Sequence, residues 1–227
     1  MFPNGKMKAL TLSYDDGVEQ DRRLIEILNR YHIKGAFNLN SGIQTGANGF
    51  VKLDIQIRRM NVRGLKELYA GHEIAVHGLT HPHLENLDEE TVRNELEQDK
   101  INLERIFGSP VYGMAYPFGT YNDLVVKTVG AAGLRYARGV KSAYSFDIPR
   151  DLLTYQPTCK HTDPRLMELA EQFIKLKPAG PQVFYLWGHS YEFDTDRNWQ
   201  VIEDFCRLMA NREDIFYATN AQALLVI

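Results

Sequence analysis

Short apolar runs alternate with longer amphipathic ones along most of this chain. Lys8 to Tyr14, Lys34 to Asn40, Glu73 to Val76, Val111 to Tyr116, Tyr136 to Arg138, Gln182 to Trp187 and Ile215 to Ala218 read as strands. Between them, Glu19 to Tyr31 places Leu24, Ile25, Ile27 and Leu28 at helical spacing, and Asn61 to Gly71 reads as a second helix with Asn61 as its cap. Asp88 caps a charged amphipathic helix running to Phe107 through Val92, Leu96, Ile101, Leu103 and Ile106. Further helices are expected over Asn122 to Ala132, from Asp163-Pro164 to Lys177 with the proline at the first helical position, over Asn198 to Ala210, and from Asn220 onward. Ser41 to Gln56, rich in Gly and Asn and without periodicity, reads as a loop, while Gly139 to His161 is weakly patterned and broken by Pro149 and Pro157. Strands alternating with helices predict a parallel α/β fold.

Polar residues sit where the apolar runs stop. The first strand ends in Asp15-Asp16-Gly17. Adjacent carboxylates disfavour each other's ionisation, so the pair needs a cation, a proton or open solvent; a solvated turn is the alternative. The third strand ends in His77 and His81, four residues apart, which share one face if the chain coils helically after Val76. Singly, each histidine reads as an ordinary surface or core residue. Together with a carboxylate they form a three-ligand set for a borderline metal, with positions left open for water and substrate. Tyr116 and His189 likewise follow strands, and in (β/α) barrels the C-terminal ends of the strands are where sites are built.

Composition narrows the classes. With 227 residues and 44% hydrophobic content the chain can bury a large core, and one domain spanning residues 1–227 is expected. A net charge of −3 and a pI near 6.2 provide no long-range attraction for nucleic acid or an anionic membrane, so neither is expected as a partner. The N-terminus has no apolar signal region and no run approaches a membrane span, which predicts a soluble, cytoplasmic protein unless a leader precedes this sequence. Cys159 and Cys206, far apart and outside any CxxC, read as reduced packing thiols.

Four stretches carry a resemblance. Thr11-Leu12-Ser13-Tyr14-Asp15-Asp16-Gly17 is similar to the T-F-D-D-G motif of the polysaccharide deacetylases, carbohydrate esterase family 4. His77-Gly78-Leu79-Thr80-His81 resembles their H-[ST]-x-x-H motif, with Gly78 in place of Ser or Thr. Tyr116-Pro117-Phe118-Gly119 resembles the end of the third motif, and Leu186-Trp187-Gly188-His189 the late L-x-x-H motif. The resemblance covers residues 11 to 189 in the family's order and implies a distorted (β/α)7 barrel. It also implies removal of acetyl groups from an N-acetylated sugar or oligosaccharide by a metal-dependent hydrolase. By it, Asp16, His77 and His81 are the ligands of one divalent ion, Asp15 the general base, and His189 the acid that protonates the leaving nitrogen. Tyr116, beside Pro117, would donate its backbone N–H to the oxyanion. Two histidines and a carboxylate suit Zn and would also hold Co, Ni, Mn or Fe.

The sequence also departs from the family. The arginine that usually orients the base is replaced by Ala115, and Arg138 is either its substitute or a surface charge. The family's Asp-Trp pair is not recognisable; Asp147, Arg150 and His161 lie in that region without an assignment, His161 reading equally as a loop residue. Trp187, Tyr191, Phe193 and Trp199 are either a sugar-stacking wall or, for the tryptophans, core packing, and Glu192-Phe193-Asp194-Thr195-Asp196 reads as a solvated acidic loop. Besides the sugar deacetylase, two readings stay open: a related amidase acting on a non-sugar, cyclic-amide type of bond, and an inactive carbohydrate-binding homologue. Retention of both Asp15 and His189 weighs against the last, because binding alone requires neither. The partner expected is a carbohydrate or another small amide.

Overall fold

The computed structural model describes residues 1–61 and 64–225. Its strands are β1 (Lys8–Asp15), β2 (Ala36–Leu39), β3 (Gly49–Lys52), β4 (Ile55–Arg58), β5 (Glu73–Val76), β6 (Gly113–Ala115), β7 (Tyr136–Arg138), β8 (Cys159–Lys160), β9 (Gln182–Gly188) and β10 (Ile215–Tyr217). The α-helices are α1 (Asp21–Arg30), α2 (Glu89–Phe107), α3 (Asp123–Ala131), α4 (Leu166–Lys175), α5 (Glu192–Thr195), α6 (Trp199–Met209) and α7 (Asn220–Leu224). No helix among the described residues is long and apolar enough to cross a membrane.

The main sheet runs β7-β6-β5-β2-β1-β9-β8, and every pairing in it is parallel. β9 pairs with β1 from Lys8 to Tyr14, whereas β10 takes the start of β1 and β2 its end. A strand so enclosed is buried at every position, which is why β1 reads as an almost unbroken apolar run. The sheet curls until its edges meet: the Tyr155 N–H donates to Ala137 O on β7 (3.0 Å), and the Thr158 N–H donates to Tyr185 O on β9 (2.9 Å). The result is the distorted (β/α)7 barrel, with β1, β2, β5, β6, β7, β8 and β9 as its staves.

Caps set several helix boundaries. Asp88 accepts from the Thr91 N–H and Asn122 from the Val125 N–H, each closing an orphan donor at a helix start, and left-handed Gly108 ends α2. The free thiols Cys159 and Cys206 are both buried.

Several segments differ from expectation. Ser41 to Gln56 is not wholly loop: β3 and β4 form an antiparallel hairpin whose two-residue turn, Leu53-Asp54, has positive φ at both positions, as primed turns require. Neither residue advertises that conformation as Asn-Gly would. The helix expected over Asn61 to Gly71 is absent from its described part; residues 64–71 are turns, and the rest of that expectation falls on residues 62 and 63, outside the described set. Helix α4 begins at Leu166, so Pro164 precedes it instead of opening it; the Asp163 carbonyl accepts from the Leu166 N–H. On α2, Ile101 is 56% exposed, because the inward stripe runs through Val92, Leu96, Asp99, Leu103 and Phe107.

Candidate active site

The polar strand ends converge on one cavity of about 550 Å³, lined by Asp15, Asp16, His77, His81, Tyr116 and His189 together with Phe50, Lys52, Arg59, Phe118, Lys160, Trp187 and Tyr191. At its floor, Asp16 and Gly17 turn the chain sharply out of β1, both with positive φ. A side chain at Gly17 would collide with Gln44 and Leu39, and Gln44 Nε2 donates to the Asp16 carbonyl (2.5 Å).

Residues 77–81 are not helical. His77 and His81 meet through a turn in which Gly78 (φ 76°) and His81 (φ 61°) are left-handed, and their rings lie 4.7 Å apart, edge to face. The departure at Gly78 thus has a backbone reason: an unbranched, Cβ-free residue adopts that φ without strain. Helix α2 holds this turn with two buried carboxylates one turn apart. Glu95 accepts from the Thr80 N–H (2.9 Å) and hydroxyl (2.8 Å), and Asp99 from the His77 N–H (3.2 Å) and the Ser41 N–H (2.7 Å). Asn40 adds donations to the carbonyls of His77 (2.5 Å) and Gly78 (2.7 Å).

The His77 ring reaches Ala115 O through Nδ1 (2.8 Å), which leaves Nε2 free to face the carboxylates, the orientation expected of an imidazole ligand held by a carbonyl. One ligand atom each from Asp16, His77 and His81 lie within 4.8 Å of one another. Burial lowers the His77 pKa despite the neighbouring carboxylates, and burial, then His77, lowers that of His81 to about 4, so both rings are neutral and able to ligate at neutral pH. The donor set therefore fits a divalent ion. One feature competes with it: Arg59, just after β4, places Nη2 2.6 Å from Asp16 Oδ1.

Asp15 is 2% exposed and has a different set of partners. Arg138 donates to Asp15 Oδ1 across 123 residues of sequence and also to Ser13 Oγ (3.2 Å) and Gly139 O (3.0 Å), while Asn38 Nδ2 donates to the same carboxylate oxygen (2.7 Å). Arg138 is fully buried, 4.8 Å over the Trp187 ring, so it is no surface charge. Burial pushes the Asp15 pKa up, but Arg138 above all, then His77 and His189, outweigh it and hold the carboxyl below its ordinary value. His189 Nε2 lies 3.9 Å from Asp15 Oδ2 and 4.0 Å from Asp16 Oδ2. Burial lowers its pKa, but Glu192, Asp15 and Asp16 together raise it above the ordinary histidine value.

The third motif needs a correction. Tyr116 lines the cavity, but its backbone N–H donates to Arg138 O (3.0 Å) as part of the sheet, so it is not available to an oxyanion. Pro117 is buried and sits against Gly78. The 3-10 turn Pro117–Gly119 closes on the N–H groups of Gly119 and Thr120, which leaves that of Phe118, at φ 57°, as the amide without a partner inside the turn.

The acidic run is not solvated either. Glu192 is 6% exposed on α5, with Oε1 2.7 Å from Lys160 Nζ and Oε2 within 3.3 to 3.4 Å of the His161 and His189 rings. His161 is buried and stacked between Tyr14 and Phe193, whereas Asp147 is a surface partner of Gln182 and Arg150 is exposed. Trp187 and Tyr191 face the cavity; Phe193 and Trp199 pack on one another behind it. Sequence reasoning missed Asn38, Arg59, Glu95, Asp99 and Glu192. Only the alternating Ile55-Gln56-Ile57-Arg58 before Arg59 offered a legible signal.

A family profile described as polysaccharide deacetylase matches residues 3–137. No protein of curated function matches the sequence. Among solved structures, a Mycobacterium smegmatis protein assigned as a polysaccharide deacetylase superposes with a TM-score of 0.69 at 18% identity, covering 98% of this chain and 90% of that one. The chitin deacetylase from the fungal pathogen Colletotrichum lindemuthianum gives 0.61 at 18%, covering 97% and 88%. A family 4 pseudoenzyme from Bacillus anthracis gives 0.55 at 19%, covering 97% and 66%. The chain spans between 61% and 68% of the length of four of the structures it matches. At these identities the likeness concerns the fold.

Proposed function

Because the chain belongs to the polysaccharide deacetylase family, we propose that it is a metal-dependent hydrolase that removes acetyl groups from an N-acetylated sugar or oligosaccharide. The observation that carries this reading is the approach of Asp16, His77 and His81 to one another on the floor of a cavity that Asp15 and His189 also face. Asp16, His77 and His81 would hold the ion, zinc being the best match to two imidazoles and a carboxylate. Such an ion supplies Lewis-acid chemistry, polarising the amide carbonyl and lowering the pKa of water.

The rest falls to the chain's own groups. Asp15, kept ionised by Arg138, accepts a proton from the attacking water as its oxygen bonds to the carbonyl carbon. The Phe118 N–H, on the cavity rim, is the donor available to the oxygen that gains charge. His189 Nε2 gives its proton to the nitrogen as the C–N bond breaks, so acetate and a free amine leave. Arg138 takes the orienting place that Ala115 cannot fill. Trp187 and Tyr191 are part of the wall of the cavity that the sugar would enter.

The fold is shared with a pseudoenzyme, so turnover itself is part of the test. Metal content by elemental analysis and acetate release from N-acetylglucosamine oligomers are measured for wild type and Asp16→Ala. About one transition metal per chain, lost in the variant together with acetate release, is expected. Metal without acetate release moves the reading to another amide substrate, and no metal after addition of zinc or cobalt defeats the ligand assignment.

A further inference from the structure

Glu192 is a buried carboxylate on which several cationic or titratable side chains converge. The two oxygens divide the work. Oε1 takes Lys160 Nζ at 2.7 Å, with Lys52 Nζ at 3.9 Å. Oε2 lies 3.3 Å from His161 Nε2, 3.4 Å from His189 Nδ1 and 3.3 Å from the His189 backbone N–H. Both ring nitrogens are buried and neither closes a full hydrogen bond among the described residues, but Glu192 Oε2 lies beside both of them. His161 Nδ1 is 3.2 Å from the Tyr14 hydroxyl. With that hydroxyl donating to Nδ1, the hydrogen of the His161 ring sits on Nε2, the nitrogen 3.3 Å from that carboxylate oxygen.

The placement is also local. The single turn α5 folds Glu192 back over His189: the Glu192 N–H donates to His189 O (3.0 Å), while the carboxylate reaches the His189 N–H. Ser190, between them, is anchored by donating to buried Asp21 (2.5 Å).

We propose that Glu192 is the positioning residue for His189. Its carboxylate keeps a hydrogen on Nδ1, and so makes Nε2, the nitrogen that faces Asp15 and Asp16, the atom that exchanges a proton with the leaving amine. When the Nε2–H bond breaks and the amine gains that hydrogen, the ring that remains is the Nδ1–H form, which Glu192 accepts from without itself changing protonation. Lys160 holds the other carboxylate oxygen, and His161 braces the first. This proposal rests on the reading of His189 as the proton donor.

The test uses the metal-loaded protein. Histidine-selective 15N NMR of wild type is expected to show hydrogen on His189 Nδ1, and a bare Nδ1 with hydrogen on Nε2 would overturn the proposal. In Glu192→Gln, kcat for an N-acetyl substrate is expected to fall about ten- to hundredfold with KM little changed, a part of the roughly 10²–10⁴-fold that positioned proton transfer contributes, because His189 itself remains. Hydrolysis of an aryl acetate, whose phenolate departs without a proton, should stay near wild type. Equal losses on amide and ester would assign Glu192 a merely structural role. Glu192→Asp, which keeps the charge, should recover part of the amide rate; no recovery in a folded, metal-replete variant counts against the proposal. If wild type hydrolyses neither substrate, the deacetylase reading fails, while the position of the ring hydrogen still decides the case of Glu192.

Discussion

Arg138→Met is the substitution whose cost follows most directly from the structure. The guanidinium is 0% exposed and makes three kinds of donation, to Asp15, to Ser13 Oγ and to Gly139 O, besides lying over the Trp187 ring. Methionine fills much of the same volume, so the main loss is the cation beside a carboxylate that is 2% exposed. Breaking a buried pair from one side costs about 3–5 kcal/mol, because the surviving charge stays desolvated. Asn38, still donating to Asp15 Oδ1 at 2.7 Å, keeps the figure towards the lower end. For a chain of this length, that corresponds to a melting temperature lower by roughly 6–20 °C. The assay is denaturant unfolding of wild type, Arg138→Met, Asp15→Asn and the double variant. A favourable coupling of more than about 1 kcal/mol between the two positions is expected, with the double variant more stable than Arg138→Met alone. A cost below about 1 kcal/mol for Arg138→Met, or additive effects, would refute the claim that Arg138 compensates the Asp15 charge.

Two further expectations bear on neighbouring groups. Arg59 shares Asp16 Oδ1 with any bound ion, so Arg59→Ala should raise zinc affinity by about tenfold, the equivalent of one charge-assisted hydrogen bond, in a chelator-competition titration; weaker binding would mean that Arg59 orders the site instead of competing for it. Asp21 is fully buried, and burial, against the donations of Ser190 and Tyr69, pushes its pKa up to about 7. The folded state then binds more protons than the unfolded one between the unfolded carboxylate value near 4 and about 7, so this group's contribution falls as pH rises through that window and is constant above it. Relative to wild type, Asp21→Asn should therefore gain stability progressively from about pH 4 to 7 in denaturant titrations, and parallel profiles would contradict the assignment.

Much of the fold was legible because its causes are local. Short apolar runs mark most strands and period-3.6 patterns most helices, and Asp88 and Asn122 announce their caps within three residues of the amides they satisfy. The polar residues that end β1, β5 and β9 could be read as one rim because parallel α/β connectivity brings all C-terminal strand ends to the same side of a sheet. Hairpin β3–β4 escaped notice because three of the four residues in β3, and two of the four in β4, are exposed and its turn lacks a glycine. Arg59 escaped with it.

By itself, then, the sequence determined most of the elements, their parallel α/β class and the identity of the groups at the strand ends, all of which depend on neighbours a few residues away. Tertiary structure alone decided which charges face each other. Arg138 reaches Asp15 because β6 and β7 carry the barrel wall round to the end of β1, and no local pattern encodes a pairing across 123 residues. It also decided that the Tyr116 N–H belongs to the sheet, and that Glu192 is a buried partner of His189 instead of one acid in a solvated run. In each case the sequence supplies a polar group, but burial and the geometry of its partners determine what that group can do.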